Sequence, residues 1–299
     1  MQLFVEQVLN GIGNGVVYGS VALALVLIFR TTGVLNFAQG EMALFSTFIS
    51  WKLTTTGMPV VAAIALSMAI AFVAGAVIER ALIRPVETAR SPLNVVIVTL
   101  GLFLGLNSLA QLVFGTDPQS MPSPFPEGSI ELFSRTGDAA VVQKDTLGLI
   151  IVLLLECLAL WLLLQRTRLG LKLRAVAANP ESARLHGIKS GSMLMLGWGL
   201  SAAVGALAGS LVASQRTGFD SNLMQAILVY ALAAAALGGF DSIWGAVICG
   251  LLVGVADALT IQYVSFLDGI EVVLPLALIL VVLIVTPNGL FGRRTVERV

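Results

Sequence analysis

Of 299 residues, 57% are hydrophobic and only 11% are charged, whereas an average soluble domain carries about 25% charged and roughly 45–50% apolar residues. Seventeen Lys+Arg balance seventeen Asp+Glu, too few to cover a globule and too evenly matched for a strongly basic nucleic-acid binder. With a mean hydropathy of +0.95, the chain reads as a polytopic membrane protein. Cys157 and Cys249 both lie in apolar runs and His186 is the single histidine, so neither a disulfide framework nor a metal site is expected.

Met1–Glu6 offers no basic stretch and no small-residue cleavage site, so no removed signal peptide is expected. A crossing helix needs roughly 20 mostly apolar residues, and continuous apolar runs favour helices over barrel strands, which would alternate. Spans are expected over Val5–Phe29, Asn36–Thr54, Val60–Ile78, Leu93–Phe114, Leu147–Leu164, Met193–Val212, Leu223–Leu237, Ile243–Ile261 and Val272–Thr286. The second starts polar, and the seventh and ninth are short. The expectation is an all-α integral membrane protein with eight to ten transmembrane helices, forming a single transmembrane domain over 1–299.

Lys and Arg set the orientation. With the N-terminus outside and the C-terminus inside, the inner side receives Arg30, Arg80, Arg84, Arg90, Arg166, Arg168, Lys172, Arg174, Arg184, Lys189, Arg293, Arg294 and Arg298, thirteen of the seventeen. Lys52, Arg135, Lys144 and Arg216 remain outside. The outer loop 115–146 is acidic, with Asp117, Glu127, Glu131, Asp138 and Asp145. Glycines recur at four-residue spacing at Gly11/Gly15/Gly19, Gly101/Gly105, Gly205/Gly209 and Gly250/Gly254. Such faces let helix backbones approach closely in lipid, either inside the chain or across a dimer interface.

Polar groups at membrane depth are costly unless they face protein or a water-filled cavity. Arg30, Asn36, Gln39 and Glu41 follow the first span with almost no hydrophilic loop. Asn36, Gln39 and Gly40 fall on one helical face. This stretch is either a polar turn or a broken helix lining a route. Glu156 interrupts the apolar run Leu149–Leu164, where a lone carboxylate costs about 2.5–3.5 kcal/mol on insertion scales. It serves either as an interhelical hydrogen-bonding residue or as a contact for solute or a moving gate. Asp257 poses the same question. Asn36, Gln39, Glu41 and Glu156 are the candidate pathway residues.

The inner loop 165–192 carries Asn179-Pro180-Glu181-Ser182-Ala183-Arg184-Leu185-His186-Gly187. Asn suits an N-cap, Pro the first helical position, Glu the first turn and Gly the position after the end. These residues specify a two-turn helix outside the membrane, either an interfacial anchor or a docking element for a cytoplasmic partner. The chain has no Gly-x-x-x-x-Gly-Lys-[Ser/Thr] loop for ATP, and no His-Glu-x-x-His or Gly-x-Ser-x-Gly with triad partners. No catalytic residue is expected. Arg30-Thr31-Thr32-Gly33 after the first span and Arg216-Thr217-Gly218 after the sixth form a short echo between oppositely directed spans, as an inverted repeat would.

The stretch Arg30–Glu41 (R-T-T-G-V-L-N-F-A-Q-G-E), preceded by Gly15–Leu25 (G-V-V-Y-G-S-V-A-L-A-L), closely resembles the permease subunits of branched-chain amino acid ABC importers of the LivH type. The similarity extends through Gly170–Gly187 and Leu237–Gly254. The resemblance implies a subunit in the bacterial inner membrane, paired with a second, LivM-like permease, two cytoplasmic LivG/LivF-like ABC ATPases and a periplasmic solute-binding protein. It implies that Asn179–His186 docks in the ATPase, with Gly187 closing the helix. ATP would be used by the partner subunits, and this chain would bind no cofactor. The implied solute is leucine, isoleucine or valine, though permeases for urea, short amides or other amino acids share these motifs. A self-sufficient channel or proton-coupled carrier built on Glu156 or Asp257 is the alternative from a different class.

Overall fold

The computed structural model describes residues 2–87, 93–126, 128–132, 140–264, 270, 273–286 and 288–292. Arg90, Arg135, Arg293, Arg294 and Arg298, used above for orientation, lie outside the described residues, as do Glu127, Asp138 and Val272.

The helices in chain order are α1 (Gln2–Thr32), α2 (Gln39–Thr55), α3 (Val60–Ile78), α4 (Arg84–Glu87), α5 (Leu93–Phe114), α6 (Lys144–Arg166), α7 (Arg168–Ala178), α8 (Pro180–Leu185), α9 (Ser190–Ser214), α10 (Leu223–Gly238), α11 (Ile243–Tyr263) and α12 (Val273–Val285). A π-helical turn, Glu79–Ile83, joins α3 to α4. Among the described residues six helices are long and apolar enough to cross a bilayer: α1, α3 with its extension, α5, α6, α9 and α11. The three weak spans of the sequence are the three that fall short. α2 has 17 residues, α10 has 16 and α12 has 13, or about 26, 24 and 20 Å of helix against a hydrocarbon core of ~30 Å.

The acidic segment holds a hairpin that the sequence reading did not anticipate. Strands β1 (Ser129–Leu132) and β2 (Ala140–Gln143) pair antiparallel, Ser129 opposite Gln143. β1, Ser-Ile-Glu-Leu, alternates polar and apolar only over the shortest diagnostic length, and β2, Ala-Val-Val-Gln, does not alternate.

By compactness the chain divides into two units. One comprises Met1–Val26, Phe125–Cys157 and Val229–Val299; the other comprises Leu27–Pro124 and Leu158–Leu228.

In the first unit the glycine stripes of α1 and α11 mesh backbone to backbone. A Cβ at Gly15 would lie 2.6 Å from the Cα of Leu251, and one at Gly11 would lie 2.6 Å from that of Val255. Reciprocally, a Cβ at Gly250 would sit 2.5 Å from the Cα of Gly19, and one at Gly254 would strike the backbone of Gly15. With no hydrophobic force between helices in lipid, this close approach supplies the attraction through dispersion.

In the second unit α3 runs along α9, and α2 packs on both. Gly75 and Gly199 make that possible: a Cβ at Gly75 would lie 2.7 Å from the Trp198 carbonyl oxygen, and one at Gly199 would lie 2.8 Å from that of Phe72. Ile28, Met42, Ala71, Val95, Trp198 and Ala202 form the apolar core here. Gly205 and Gly209 face Gln39 and Thr47 of α2. Three of the four glycine stripes are therefore internal packing. Gly101 and Gly105 of α5 meet nothing within 4 Å, on a helix that also exposes Leu93, Ile97, Leu104 and Leu112.

Candidate functional site

The break between α1 and α2 gathers the costliest polar groups of the second unit. α1 stops where the Thr31 hydroxyl donates back to the carbonyls of Leu27 and Ile28 and that of Thr32 to Ile28. Gly33 then adopts φ +76°, a left-handed conformation that glycine reaches at little cost. Asn36 closes the turn, its Oδ1 accepting the Ala38 N–H at 3.0 Å. The expected span beginning at Asn36 is corrected by this turn, and helix starts only at Gln39. The break is no solvated loop, since Asn36, Gln39 and Glu41 are all buried.

Gln39 is held from three directions. Its Nε2 donates to the Ser201 carbonyl at 3.0 Å, and its Oε1 accepts from the Ser201 hydroxyl at 2.9 Å and from Asn36 Nδ2 at 3.3 Å. Where no water competes, satisfied polar groups of this kind fix a single register between helices. The pair ties α2 to α9.

Glu41 faces elsewhere. Two residues further along, the helix has turned by about 200°, and the side chain meets α5. Its Oε2 accepts from Asn107 Nδ2 at 3.1 Å, and the same nitrogen donates to the Ser221 carbonyl at 2.7 Å. Gln111 Nε2 supports Asn107 from one turn on, at 2.7 Å. Glu41 is 1% exposed, yet its Oε1 has no hydrogen-bond partner among the described residues. Asn36 and Gln39 thus come together, while Glu41 belongs to a second polar cluster on the opposite face of α2.

Glu156 lies in the first unit. Its Oε2 accepts the Ser20 hydroxyl at 2.5 Å, and its Oε1 also lacks a partner among the described residues. On α1, two residues before Ser20, Tyr18 donates its hydroxyl to Asp257 Oδ2 at 3.0 Å and stacks on Tyr230 with ring centroids 4.6 Å apart. One stretch of α1 thereby reaches polar groups on both α6 and α11.

The short helix α8 has both ends specified as its sequence suggests. Asn179 Oδ1 accepts the Ser182 N–H at 2.8 Å, Pro180 opens the helix, and Gly187 closes it at φ +76°. His186 Nδ1 lies 2.8 Å from the Ser182 carbonyl. Ala183 is the one buried residue of α8 and packs with Val176 and Leu194. Glu181, Ser182, Arg184, Leu185 and His186 face outward, Leu185 at 88% exposure.

At the start of α10 a cleft of about 430 Å³ is bordered by Pro118, Arg216, Phe219, Asp220, Leu223 and Ile227. Gln119 and Phe219 shape its edge through a two-way backbone bridge, both N–H···O distances being 2.8 Å.

Sequence reasoning did not single out Ser201, Asn107, Ser20 or Tyr18. Asn107 carried a usable signal, an amide inside a mainly apolar span. Ser201 carried none, since one hydroxyl among many does not announce a partner 162 residues away.

A family model described as "Branched-chain amino acid transport system / permease component" matches residues 7–284. The high-affinity branched-chain amino acid transport system permease protein LivH of Salmonella typhimurium is 31% identical over 99% of this chain and 98% of its own. The corresponding permease protein BraD of Pseudomonas aeruginosa is 28% identical over 99% of this chain and 98% of its own. Among solved structures, PsaBC from Streptococcus pneumoniae in complex with Fab aligns over 93% of this chain and 91% of that chain at 13% identity, with a TM-score of 0.48.

Proposed function

This chain belongs to the family of branched-chain amino acid transport permease components, and from that premise we infer that it is the membrane-spanning subunit of an ATP-driven importer of aliphatic amino acids. It sits in the bacterial inner membrane with its N-terminus outside. It pairs with a related second permease, receives solute from a binding protein outside and engages two ATPases in the cytoplasm. The chain itself binds no cofactor and catalyses no reaction; ATP is consumed by its partners.

The observation that carries this reading is α8. Capping at both ends makes six residues a rigid element, which an isolated helix of that length could not be. Buried Ala183 and the Ser190 hydroxyl, which donates to the Pro180 carbonyl, seat it on α7 and α9. Its outer face offers an apolar knob, Leu185, among Glu181, Arg184 and His186. A rigid knob at the end of a transmembrane helix can pass a partner's movement into the bundle, whereas a loose loop would absorb it.

The solute needs little polarity along its way, because a zwitterion with an aliphatic side chain presents one charge of each sign. Asn36, in the turn before α2, and Gln39 and Glu41, on α2 itself, lie on faces that become accessible when α2 parts from α9 or α5. The spare oxygen of Glu41 then suits the ammonium end of an amino acid. Glu156 is assigned to the Ser20 bond between α1 and α6, inside its own unit.

Purification of the tagged chain from its native membrane in mild detergent tests the subunit role. Co-purification of two ATPases and a second permease supports it, and ATP hydrolysis stimulated by a leucine-loaded or valine-loaded binding protein identifies the solute. A chain that emerges alone, with uptake that follows the proton gradient, refutes it.

A further inference from the structure

We propose that Arg84 is a positioning residue for coupling: it ties the docking helix α8 to the end of transmembrane helix α3, so that movement of α8 is delivered to α3 as well as to α9. The inference rests on the docking role assigned to α8 above. Its central residues, Glu79, Arg84 and Gly191, belong to none of the motifs or polar clusters described above.

The tie is a continuous run of short contacts within one unit. Ser190, the first residue of α9, donates its hydroxyl to the carbonyl of Pro180, the first residue of α8, at 3.1 Å. The next residue, Gly191, offers its carbonyl to Arg84 Nη2 at 2.6 Å. Arg84 in turn grips Glu79 side-on along one edge of its guanidinium, Nε to Oε1 at 3.1 Å and Nη2 to Oε2 at 2.7 Å. Glu79 is 1% exposed and Arg84 35%. Two parallel charge-assisted bonds fix orientation as well as distance.

Backbone geometry indicates that the arrangement is built for this pair. Residues five apart on an α-helix point about 140° away from each other and do not meet. The turn Glu79–Ile83 is π-helical, with the Arg84 N–H donating to the Glu79 carbonyl, and this widening stacks residue 84 over residue 79. Pro85 gives the turn a local cause, since in a regular α-helix its ring would collide with the carbonyl of Ala81, four residues back. Single π-turns inside helices occur frequently at functional sites. Gly191 completes the fit, because a Cβ there would stand 2.9 Å from the guanidinium carbon of Arg84. A glycine at the second position of α9 is a poor helix former, and the space it leaves is occupied by the arginine.

The test uses the whole importer in lipid nanodiscs and liposomes, comparing ATP hydrolysed with amino acid taken up. Gly191→Ala pushes the guanidinium off the carbonyl while leaving the Glu79 pair intact. Arg84→Gln removes the tie altogether, and Glu79→Gln/Arg84→Gln does so without stranding a buried carboxylate. The expected result is complexes that keep both ATPases but spend about fivefold or more ATP per amino acid, the scale of an ordinary coupling energy. A purely structural role would lower the amount of complex and leave that ratio unchanged. Wild-type ratios in Gly191→Ala and in the double variant would overturn the proposal. Leu185→Asp is run in parallel. If it fails to release the ATPases, the docking role itself is wrong; if it releases them while the other variants keep wild-type ratios, only the Arg84 tie is wrong.

Discussion

Gly15→Ala and Gly13→Ala are the same substitution two residues apart on α1, and the structure gives them opposite signs. The Cβ introduced at Gly15 would lie 2.6 Å from the Cα of Leu251, 2.9 Å from the Gly250 carbonyl oxygen and 3.0 Å from that of Leu251. Comfortable carbon contacts begin near 3.5 Å. Because every obstacle is backbone, no rotamer change relieves it, and α1 and α11 must separate by about 1 Å over their closest turn. At Gly13 the new methyl finds only the Thr146 side chain, at 3.8 Å, an ordinary contact. Both variants gain the same helix propensity, about 0.8–1.0 kcal/mol, so their difference isolates the packing term. That difference should be about 1–3 kcal/mol, with Gly13→Ala equal to or above wild type in stability and Gly15→Ala below it. Equilibrium unfolding in mixed micelles, followed by tryptophan fluorescence and helical circular dichroism, measures it. Equal stabilities for the two variants would refute the close α1–α11 approach.

Other consequences can be tested independently. A double-mutant cycle with Gln39→Leu and Ser201→Ala should return a coupling of about 0.6–1.7 kcal/mol, the span found for hydrogen bonds between membrane helices; a value near zero would remove the α2–α9 tie. Asn179→Ala deletes the cap on Ser182 N–H and should cost α8 about 0.5–2 kcal/mol, seen as faster proteolysis in the loop 179–187 while the membrane helices stay intact. Glu156→Gln keeps an acceptor for Ser20, so ATP-driven uptake should stay within about twofold of wild type, a change under ~0.5 kcal/mol; loss of uptake together with its proton dependence would restore the carrier reading.

Much of this architecture was legible in the sequence because lipid leaves few options. Apolar runs located the spans, and the three weakest runs became the three shortest transmembrane-type helices, α2, α10 and α12. The α8 caps were legible because capping depends only on neighbours in the chain. The turn at Asn36 was half legible: polar residues marked the spot, but only the Asx bond to Ala38 shows why helix waits until Gln39. Long-range pairings were not legible. Nothing local to Gly15 names Gly254, and nothing local to Gln39 names Ser201. The Glu79–Arg84 pair was hidden for a different reason, since helical periodicity places those two residues on different faces and only the π-turn brings them together. The hairpin escaped because β1 shows its alternation over only four residues and its partner β2 shows none.

The central claim is that α8 is where this permease meets its ATPases. Its most direct test is Leu185→Asp in the tagged chain, which replaces the exposed apolar knob with a carboxylate and touches no buried group. The account predicts that the variant still inserts and still brings down the second permease, but that the ATPases are lost from the purified complex and uptake falls with them. Retention of both ATPases at wild-type stoichiometry, with normal uptake, would contradict it.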